Sequence, residues 1–591
     1  MLTACLAAGA ATPAAADDWL RFGGDAQVTN DVLSAQAPDF QPSNASKLQV
    51  RWTSKLDGAV LASPLYAQGV TITGRTADVV YAATQGGSVY ALDATDGTVL
   101  WQRELGTAES TCINRAGDKV SYGIVSTGVI DRVRNMLYVI GAPGFLYALD
   151  LSTGETAAGW PVQVTKDPTG EFVWGGLTLV GNRVYVPVAS YCDDAGADGV
   201  YADGRLDAVD VDYGVIVASF DVVQGVGDLG SIWGWGGASV DPKTGDLWVA
   251  TGNSWVFDNS GNLVQTAGYA ESVVQLDANL NVLASDRPVD LPGEVEDADF
   301  GSTPLLFQPP GCPPYAAAYA KNGELYVWQR DGLSGGPVWS FHAGPSDISN
   351  AFVGEPSYSP ELNMLVVADA RTYDDEGTIV DFDAVTAFKI GPGCSFPTAP
   401  TWVAPGLGRG AKAPAILVGG LAFVVAGFAP GVFALDAATG AIAWSQAFGG
   451  STLAPPSFGG GQVYAGDSSG VVSAIGVGPT LPPPPPAPPP PPPAALVAGK
   501  VVHTRAVAGR SFTASMPVRY AGERVVGTIR CPAKVGGRTV PHARSRAAGG
   551  AAICTWGLPL GARGKRLSGS IAESYHGSRV SRSFSTLVYG R

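Results

Sequence analysis

A three-residue motif followed by a glycine turn recurs at regular intervals along this chain of 591 residues. The sequence Ala-Leu-Asp begins at Ala91, Ala148 and Ala434, so the first gap is 57 residues and the second is 286, close to five times the first. Degenerate copies occupy positions 208–210, 275–277, 327–329, 387–389 and 473–475. Such a repeat indicates an architecture of similar adjoining units, and the copies predict eight of them.

Each unit has the pattern of four short β-strands separated by turn residues. The first unit has a proline-containing strand at 62–66, an alternating strand at 79–83, the Ala-Leu-Asp strand, a turn ending at Gly97 and a strand with Trp101. Four such strands make one blade of a β-propeller. The Asp and Gly serve the turn, because Asp tolerates turn geometry and Gly supplies a positive φ. The Trp is expected to pack between blades.

The eighth unit ends after three strands, near Gly476. The segment Leu48–Ser54 has the tryptophan pattern of a fourth strand. We therefore predict that this segment pairs with the strand at Val471–Ile475 and closes the ring. Closure matters because an open sheet edge presents unpaired backbone groups to other chains.

The repeat resembles that of the pyrroloquinoline-quinone (PQQ) repeat, or quinoprotein alcohol dehydrogenase-like, superfamily. The resemblance covers about residues 18–478 and includes the N-terminal run Asp18–Asp25, the segment Ser43–Leu48 and Trp52. It implies an all-β, eight-bladed propeller. The superfamily contains dehydrogenases that hold PQQ and Ca²⁺ and also non-catalytic propellers, such as an outer-membrane assembly scaffold. The repeat therefore predicts the fold more strongly than the chemistry.

Composition divides the rest of the chain. Residues 1–16 are Ala-rich and uncharged and have the pattern of a remnant export signal, with a small-residue cleavage site before Asp17. The propeller is assigned to 17–478 and a proline-rich linker to 479–495, which we expect to be an extended polyproline helix. Residues 496–591 are predicted to form a small basic β-sandwich-like domain, for which we expect an immunoglobulin-like arrangement.

Localisation and partners follow from the termini and the charge. The signal predicts a secreted or envelope-associated protein, and Leu2–Cys5 also resembles a lipobox that would anchor a lipid on Cys5. From Gly499 onward, 16 Lys and Arg against two acids give about +14, whereas 21 basic and 50 acidic residues before it give about −29. An acidic body disfavours nucleic-acid binding. The basic tail suits a cell-wall or envelope partner, or is an ordinary solvated surface.

A quinoprotein site requires a flat ring for the cofactor and oxygen ligands for a cation, both on loops of one face. We define the upper face by the loops that precede first strands and those that join second to third strands. The segment Ser231–Pro242 resembles the Trp-rich signature of the family, which implies Trp235 as the ring under PQQ. The resemblance likewise implies Asn253, 18 residues on, as a Ca²⁺ ligand. The alternative is that both are structural, as a blade-packing aromatic and a turn residue.

Three further candidates come from the same resemblance. The run Glu296–Pro304 resembles a worn form of the family's His-Asp-x-Trp-Asp-x-Asp run, which implies Asp297 as catalytic base and Ca²⁺ ligand, although its His and Trp are missing. Lys321 matches the family's cation that contacts the quinone oxygens. In the corresponding loop of blade three, Asp193 is nearest in register to the family's Glu ligand of Ca²⁺. The alternatives are an acidic solvated loop and a common Asn-Gly turn.

Six cysteines besides Cys5 suggest three disulfides in an exported chain. In the predicted strand register, Cys112 and Cys192 lie on the upper face, whereas Cys312 and Cys394 lie on the lower face. A disulfide requires Cα atoms within about 7 Å, so we predict the pairs Cys112–Cys192 and Cys312–Cys394. The third predicted pair, Cys531–Cys554, lies in the tail domain.

Two functions remain after these assignments. One is a PQQ- and Ca²⁺-dependent dehydrogenase that oxidises a small alcohol or sugar and passes electrons to a separate acceptor. The other is a non-catalytic propeller that binds protein or polysaccharide at the cell envelope. The sequence has no haem motif, and three of its four histidines lie after residue 495, so a histidine-based catalytic triad is not credible. The apolar run Ala415–Phe428 is too short for a membrane span and predicts two strands and a turn.

Overall fold

The computed structural model is nearly all β and divides into two compact units, one before and one after the proline-rich segment. The structure describes residues 18–72, 74–113, 119–190, 196–197, 199–225, 229–257, 263–288, 299–343, 354–373, 379–404, 407, 413–426, 431–451, 453–479, 496–520, 523–525, 527–548, 550–575 and 578–590.

Eight sheets of at least four strands follow one another in the described part of the first unit, and we call them blades one to eight. Two strands precede them, β1 (Asp31–Val32) and β2 (Leu48–Lys55), with a 3-10 helix at Pro42–Lys47 between them. Blade one contains β3 (Leu65–Ile72), β4 (Arg75–Ala83), β5 (Ser88–Asp93) and β6 (Val99–Glu104). A hairpin of β7 (Ala108–Ile113) and β8 (Lys119–Tyr122) leads to blade two, which contains β9 (Val129–Asp131), β10 (Met136–Gly141), β11 (Phe145–Asp150) and β12 (Val162–Gln163).

Blades three to five continue the pattern. Blade three contains β13 (Glu171–Phe172), β14 (Thr178–Val180), β15 (Arg183–Ser190), β16 (Arg205–Asp210) and β17 (Val215–Asp221). Blade four contains β18 (Ser239–Val240), β19 (Leu247–Ala250), β22 (Val273–Leu276) and β23 (Val282–Asp286), with a separate hairpin of β20 (Trp255–Phe257) and β21 (Leu263–Thr266). Blade five contains β24 (Leu305–Phe307), β25 (Tyr315–Tyr319), β26 (Glu324–Gln329) and β27 (Trp339–His342), with a 3-10 helix at Arg330–Gly335.

The last three blades complete the unit. Blade six contains β28 (Pro356–Ser359), β29 (Met364–Tyr373), β30 (Ile379–Lys389) and β31 (Trp402–Ala404), with a 3-10 helix at Pro392–Cys394. Blade seven contains β32 (Ile416–Val418), β33 (Leu421–Ala426), β34 (Gly431–Asp436) and β35 (Ile442–Ala447), so the predicted two strands and turn at 415–428 are confirmed for the described residues. Blade eight contains β36 (Ser457–Gly459), β37 (Gln462–Gly466) and β38 (Val471–Val477).

The N-terminal strand closes the ring as predicted. Strand β2 pairs antiparallel with β38, with Trp52 opposite Ala474 and Ser54 opposite Val472. Blade eight therefore takes its fourth strand from the beginning of the chain. First strands of neighbouring blades also contact each other, for example β36 with β3 and β24 with β28, so these strands line the central channel.

The repeat motif has a packing role that explains its glycine. At the glycine of the turn in blades one, two and seven, an added Cβ would lie within 2.5–2.7 Å of a tryptophan ring from the preceding blade's outer strand. The indole N–H of each of these tryptophans donates to a backbone carbonyl of the same turn at 2.9–3.2 Å. The Trp–Gly pairs are Trp52–Gly97, Trp101–Gly154 and Trp402–Gly440. The motif is thus a blade-to-blade contact, as predicted.

We expect Gly154→Ala to destabilise the protein by about 2–5 kcal/mol, because it combines two costs. The residue has a φ of +69°, which costs a side chain about 1–2 kcal/mol, and the new Cβ would displace the Trp101 ring, which costs about 1–3 kcal/mol more. Gly245 is the matched control, since its φ is +78° but no atom lies within 4 Å of an added Cβ. Chemical denaturation of both variants measures the difference, and equal losses would contradict the packing role.

An N-terminal segment, residues 19–40, runs around the ring and touches the first strand of every blade. Six of these contacts include backbone hydrogen bonds, one is made by the Arg21 guanidinium and one is a ring contact. In blade order the pairs are Trp19–Tyr66, Leu20–Ile130, Arg21–Thr178, Ala26–Val240, Gln27–Leu306, Thr29–Tyr358, Asn30–Leu417 and Phe40–Phe458. This segment therefore ties the eight blades together from inside the channel.

The described residues of the second unit form two sheets. The first contains β39 (Val497–Ala498), β40 (Val502–His503), β41 (Ser511–Tyr520), β42 (Glu523–Arg524), β46 (His542–Ala548) and β47 (Ala551–Gly557). The second contains β43 (Thr528–Arg530), β44 (Ala533–Val535), β45 (Arg538–Thr539), β48 (Arg566–Tyr575) and β49 (Ser578–Leu587); a 3-10 helix lies at Leu560–Ala562. Side chains of both sheets, such as Trp556 and Phe584, share one core. The immunoglobulin-like interpretation stays a prediction.

Two of the predicted disulfides are confirmed. Cys312 and Cys394 join blades five and six, with Cα atoms 5.6 Å apart, and Cys531 and Cys554 are bonded in the second unit. The pair Cys112–Cys192 lies outside the described residues, because Cys192 does. Among the helices of the described residues, none is long and apolar enough to cross a membrane.

Candidate active site

The described loops that carry Trp235, Asn253 and Lys321 lie at the upper end of the channel. Strand β19 is followed by a short loop of Thr251, Gly252 and Asn253, which lies against the loop that precedes blade four. The Gly252 N–H donates to the Ser231 carbonyl, and the Gly230 N–H donates to the Asn253 carbonyl at 2.9 Å. On its other side, the Phe300 N–H donates to the Thr251 carbonyl at 3.2 Å. Asn253 is buried within this arrangement.

Two tryptophans of the Trp-rich loop have different surroundings. Trp235 is 5% exposed and packs against Trp174, with ring centroids 5.0 Å apart. Trp233 is half-buried, and its Nε1 would lie 2.7 Å from a Cβ on Gly252, the residue before Asn253. The indole that adjoins the Asn253 loop is therefore Trp233, whereas the residue that the family spacing selected, Trp235, belongs to a buried aromatic cluster.

A buried ion pair joins Lys321, the remaining described candidate, to Asp299, which the sequence analysis did not single out. The Lys321 Nζ lies 2.7 Å from the Asp299 Oδ1, and their side chains are only 8% and 1% exposed. The backbone holds the same two residues together, because the Lys321 N–H donates to the Asp299 carbonyl at 3.0 Å. Lys321, in the turn between β25 and β26, is therefore held against Asp299, which adjoins Phe300, the residue that contacts the Asn253 loop.

The two predicted carboxylate ligands, Asp193 and Asp297, lie outside the described residues. The strand before Asp193 ends at Ser190, whose N–H donates to the Oγ of Ser231 in the Trp-rich loop at 2.8 Å. Asp297 precedes Asp299 by two residues. Within the part of the chain that the structure describes, no group of three His, Cys, Asp or Glu side chains could hold a metal ion.

Glu171 is a buried carboxylate of blade three that the sequence interpretation did not consider. It stands opposite Ser190 in the sheet. Its Oε1 lies 2.7 Å from the Arg205 Nη1, and the Arg205 Nε in turn contacts Asp207 at 3.0 Å. Because Arg205 pairs with both carboxylates, this network links Glu171, which stands opposite Ser190, to Asp207 of β16 rather than offering ligands.

Glu355 is a second buried acid that the sequence interpretation missed. It is 0% exposed and precedes the first strand of blade six. Its Oε2 accepts a hydrogen bond from the Thr303 N–H at 3.2 Å, and the Thr303 Oγ1 accepts one from the Gly236 N–H at 2.8 Å. Burial raises the pKa of Glu355 to about 8. Hydrogen bonds from Thr303 and from the Trp235 backbone and the charge of Arg21 lower this pKa by less than burial raises it. Glu355 thus connects the loops of blades four, five and six.

We expect Glu355→Gln to flatten the pH dependence of stability. Because its pKa is raised, Glu355 stays protonated in the folded protein at pH values above about 4.5, where the unfolded chain has released this proton. The contribution of Glu355 to the free energy of unfolding therefore falls as the pH rises from about 4.5 to about 8. The slope is on the order of 1 kcal/mol per pH unit. Glutamine stays neutral and keeps the oxygen that accepts from Thr303. Urea denaturation at pH 5, 6.5 and 8 measures the slope; exposed Glu104→Gln is the control, and parallel curves for wild type and Glu355→Gln would contradict the interpretation.

A cavity lies at the lower end of the channel. Its volume is about 510 Å³, and its walls include Trp19 and Asp31 from the N-terminal segment and Phe307 and Tyr358 from first strands. Burial, together with the nearby Glu361 and Asp25, raises the pKa of Asp31 to about 8. The residues that line this cavity do not include those of the candidate site at the upper end.

Comparison with known families agrees with this architecture. The family model for the glucose/ethanol/alcohol dehydrogenase β-propeller domain, named for PQQ, matches residues 19–356. A second model, for the outer membrane protein assembly factor BamB, matches residues 321–477. The first match covers more than half of the chain. The protein therefore belongs to the PQQ-repeat β-propeller family.

Individual relatives are distant. Polyvinylalcohol dehydrogenase of a Pseudomonas species is 23% identical over 379 residues, which are 57% of this chain and 55% of that protein. Quinohemoprotein alcohol dehydrogenase ADH IIB of Pseudomonas putida is 26% identical over 271 residues, 41% of this chain and 35% of that protein. The chain thus spans between a third and just over half of the length of these curated relatives.

Solved structures share the fold. Quinohemoprotein alcohol dehydrogenase from Comamonas testosteroni aligns with a TM-score of 0.57 at 17% identity, over 79% of this chain and 82% of that one. A europium-containing methanol dehydrogenase aligns with a TM-score of 0.56 at 16% identity, over 76% and 89%. At such identities the likeness concerns the propeller alone.

Proposed function

We propose that this protein is an exported PQQ-dependent dehydrogenase that oxidises a hydroxyl group of an alcohol, a sugar or a polyol. The observation that carries the proposal is the meeting of the Trp233 ring, the Asn253 loop and the buried Lys321–Asp299 pair at one end of the channel. The names of the relatives, which include alcohol and polyvinylalcohol dehydrogenases, support the same substrate class.

The described residues fit a flat quinone. Trp233 offers a partly exposed indole face, Gly252 leaves room beside it, and Lys321 supplies a fixed positive charge in the turn between β25 and β26. PQQ, when bound, would accept two electrons from the substrate. A Ca²⁺ ion would be held by Asn253 together with Asp193 and Asp297, whose carboxylates are suitable hard oxygen ligands.

The protein's own groups would then carry the acid–base part of the reaction. Asp297 would accept the proton of the substrate hydroxyl as a general base. Lys321 would stabilise negative charge that develops near it; Asp299 holds its Nζ in position at 2.7 Å. Burial of this ion pair strengthens its electrostatic effect, because little water screens it. Electrons would leave to a separate acceptor.

The test is titration of the purified protein with PQQ and Ca²⁺, followed by dye reduction with ethanol, glucose and poly(vinyl alcohol). We expect a bound-quinone absorbance band and reduction of the dye with at least one substrate. Trp233→Leu should weaken PQQ binding about tenfold or more with little change in Tm. Trp235→Leu should instead lower Tm, because it opens a cavity beside Trp174. Failure of the protein to bind PQQ would remove the dehydrogenase proposal.

A non-catalytic scaffold is the second candidate. It is favoured by the match of residues 321–477 to the assembly-factor model. A scaffold would show no quinone band and no dye reduction, and its stability would not change with PQQ. The titration above therefore separates the two candidates.

A further inference from the structure

The second unit presents a sheet face covered with serines. In β48 and β49, alternate residues such as Leu567, Ile571 and Phe584 enter the core. Because successive side chains of a strand point to opposite faces, the residues between them face outward. Six of these outward positions are serines, which we call the serine face: Ser568, Ser570, Ser574, Ser581, Ser583 and Ser585.

Sheet register arranges these hydroxyls in a regular grid. Ser568 stands directly opposite Ser585, and Ser570 directly opposite Ser583. Residues two apart in a strand are about 6.8 Å apart, and opposite residues have Cβ atoms about 5 Å apart. A shallow groove of about 330 Å³ crosses the grid and is bounded by Lys534 and Thr539 as well as by three of the serines. The grid is therefore an accessible surface of repeating hydrogen-bonding groups.

Four cations surround the grid. Arg530 and Lys534 belong to β43 and β44 and stand opposite Ala572 and Ser568 of β48. Arg566 and Arg579 occupy outward positions of β48 and β49, and the Arg566 Nη1 donates to the Ser585 Oγ at 3.2 Å. None of the outward positions of the five strands of this sheet, β43, β44, β45, β48 and β49, carries a carboxylate. The nearest acid in the sheet, Glu573, is 0% exposed and accepts a hydrogen bond from the Gly527 N–H.

We propose that the serine face binds an extended polyanion that also carries hydroxyl groups, a polyol phosphate chain. The cations at its margin suit successive phosphates, which attract Lys and Arg strongly. The serine hydroxyls suit the rest of such a chain, because each can both donate and accept a hydrogen bond. The regular spacing of the grid matches a polymer with a short repeat rather than a single small ligand.

Other polyanions fit this face less well. Single-stranded nucleic acids bind through aromatic side chains on which bases stack, and no outward position of the five strands is aromatic. Binding to a lipid surface is strengthened by apolar groups that enter the membrane, and the only apolar outward residues of β48 and β49 are Ala572 and Leu587. The proposal is independent of the dehydrogenase function, because it concerns the other unit.

The test uses the full-length protein and immobilised poly(glycerol phosphate) at low ionic strength. The double variant Arg530→Glu/Lys534→Glu should weaken binding at least tenfold. The control is Arg544→Glu/Arg546→Glu, which changes the net charge equally but lies on the other sheet, opposite Thr555 and Ile553. We expect the control to weaken binding less than threefold. Thermal unfolding of each variant checks that the second unit still folds.

A neutral variant and two competitors complete the experiment. Ser570→Gln/Ser583→Gln crowds the groove without changing the charge and should weaken binding at least threefold. Equal losses in the two charge-reversal variants would overturn the proposal in favour of diffuse attraction. Tighter binding to single-stranded DNA or to phosphatidylglycerol vesicles than to poly(glycerol phosphate) would overturn the assigned class of ligand, as would no binding to the polymer.

Discussion

Replacing Asp297 by asparagine is expected to lower kcat for dye reduction by about 10²–10⁴-fold in the presence of PQQ and Ca²⁺, which is the usual contribution of a general base. The amide keeps an oxygen that can still contact a cation, but it cannot accept the hydroxyl proton at neutral pH. The loss should therefore appear in kcat, while the absorbance of the bound quinone should change little. Steady-state kinetics and a PQQ titration of the same preparation measure the two effects separately.

Glu296→Gln is the matched control for this substitution. It removes one negative charge from the neighbouring position, so a general electrostatic effect of the acidic loop would affect both variants alike. We expect Glu296→Gln to change kcat less than threefold. Unchanged kcat in Asp297→Asn would show that the family run is wrongly aligned with residues 296–304. In that case Asp299 would be the next residue to test, since it is held against Lys321.

Loss of ring closure should have the largest effect on stability. Trp52 is 1% exposed, its ring lies against Gly97 of blade one, and its N–H donates to the Ala94 carbonyl at 2.9 Å. Trp52→Ala is expected to lower the free energy of unfolding by about 3–5 kcal/mol, because it leaves a large cavity between blades eight and one. Deleting residues 48–54 should go further and yield aggregates, because β38 would become an open sheet edge.

Trp444→Ala provides the comparison within the same repeat. This tryptophan is in the outer strand of blade seven but is half-buried, so its removal should cost clearly less. Guanidinium denaturation gives both free energies, and size-exclusion chromatography detects aggregates of the deletion variant. A Trp52→Ala variant as stable as Trp444→Ala, or a monomeric deletion variant, would show that closure by β2 contributes little.

The sequence by itself predicted the propeller because the information for one blade is local. An Asp at the start of a turn, a Gly a few residues later and a Trp in the outer strand recur in the best-preserved units, and the same physical requirements act on each of these copies. The missing fourth strand of the last unit and the spare tryptophan strand at 48–54 were equally visible. The lower-face disulfide Cys312–Cys394 followed from counting strands within blades.

Tertiary structure decided the features that depend on residues far apart in the chain. The order in which residues 19–40 meet eight first strands results from the convergence of those strands, which no local pattern encodes. Our preference for Trp233 over the predicted Trp235 in the proposed site likewise depends on the contact between the Trp233 ring and Gly252, which spacing along the chain does not show. Glu355 became notable only when Thr303 and Arg21 were seen beside it. Short-range turn chemistry is readable from sequence, whereas burial and partners across the ring exist only after the chain closes.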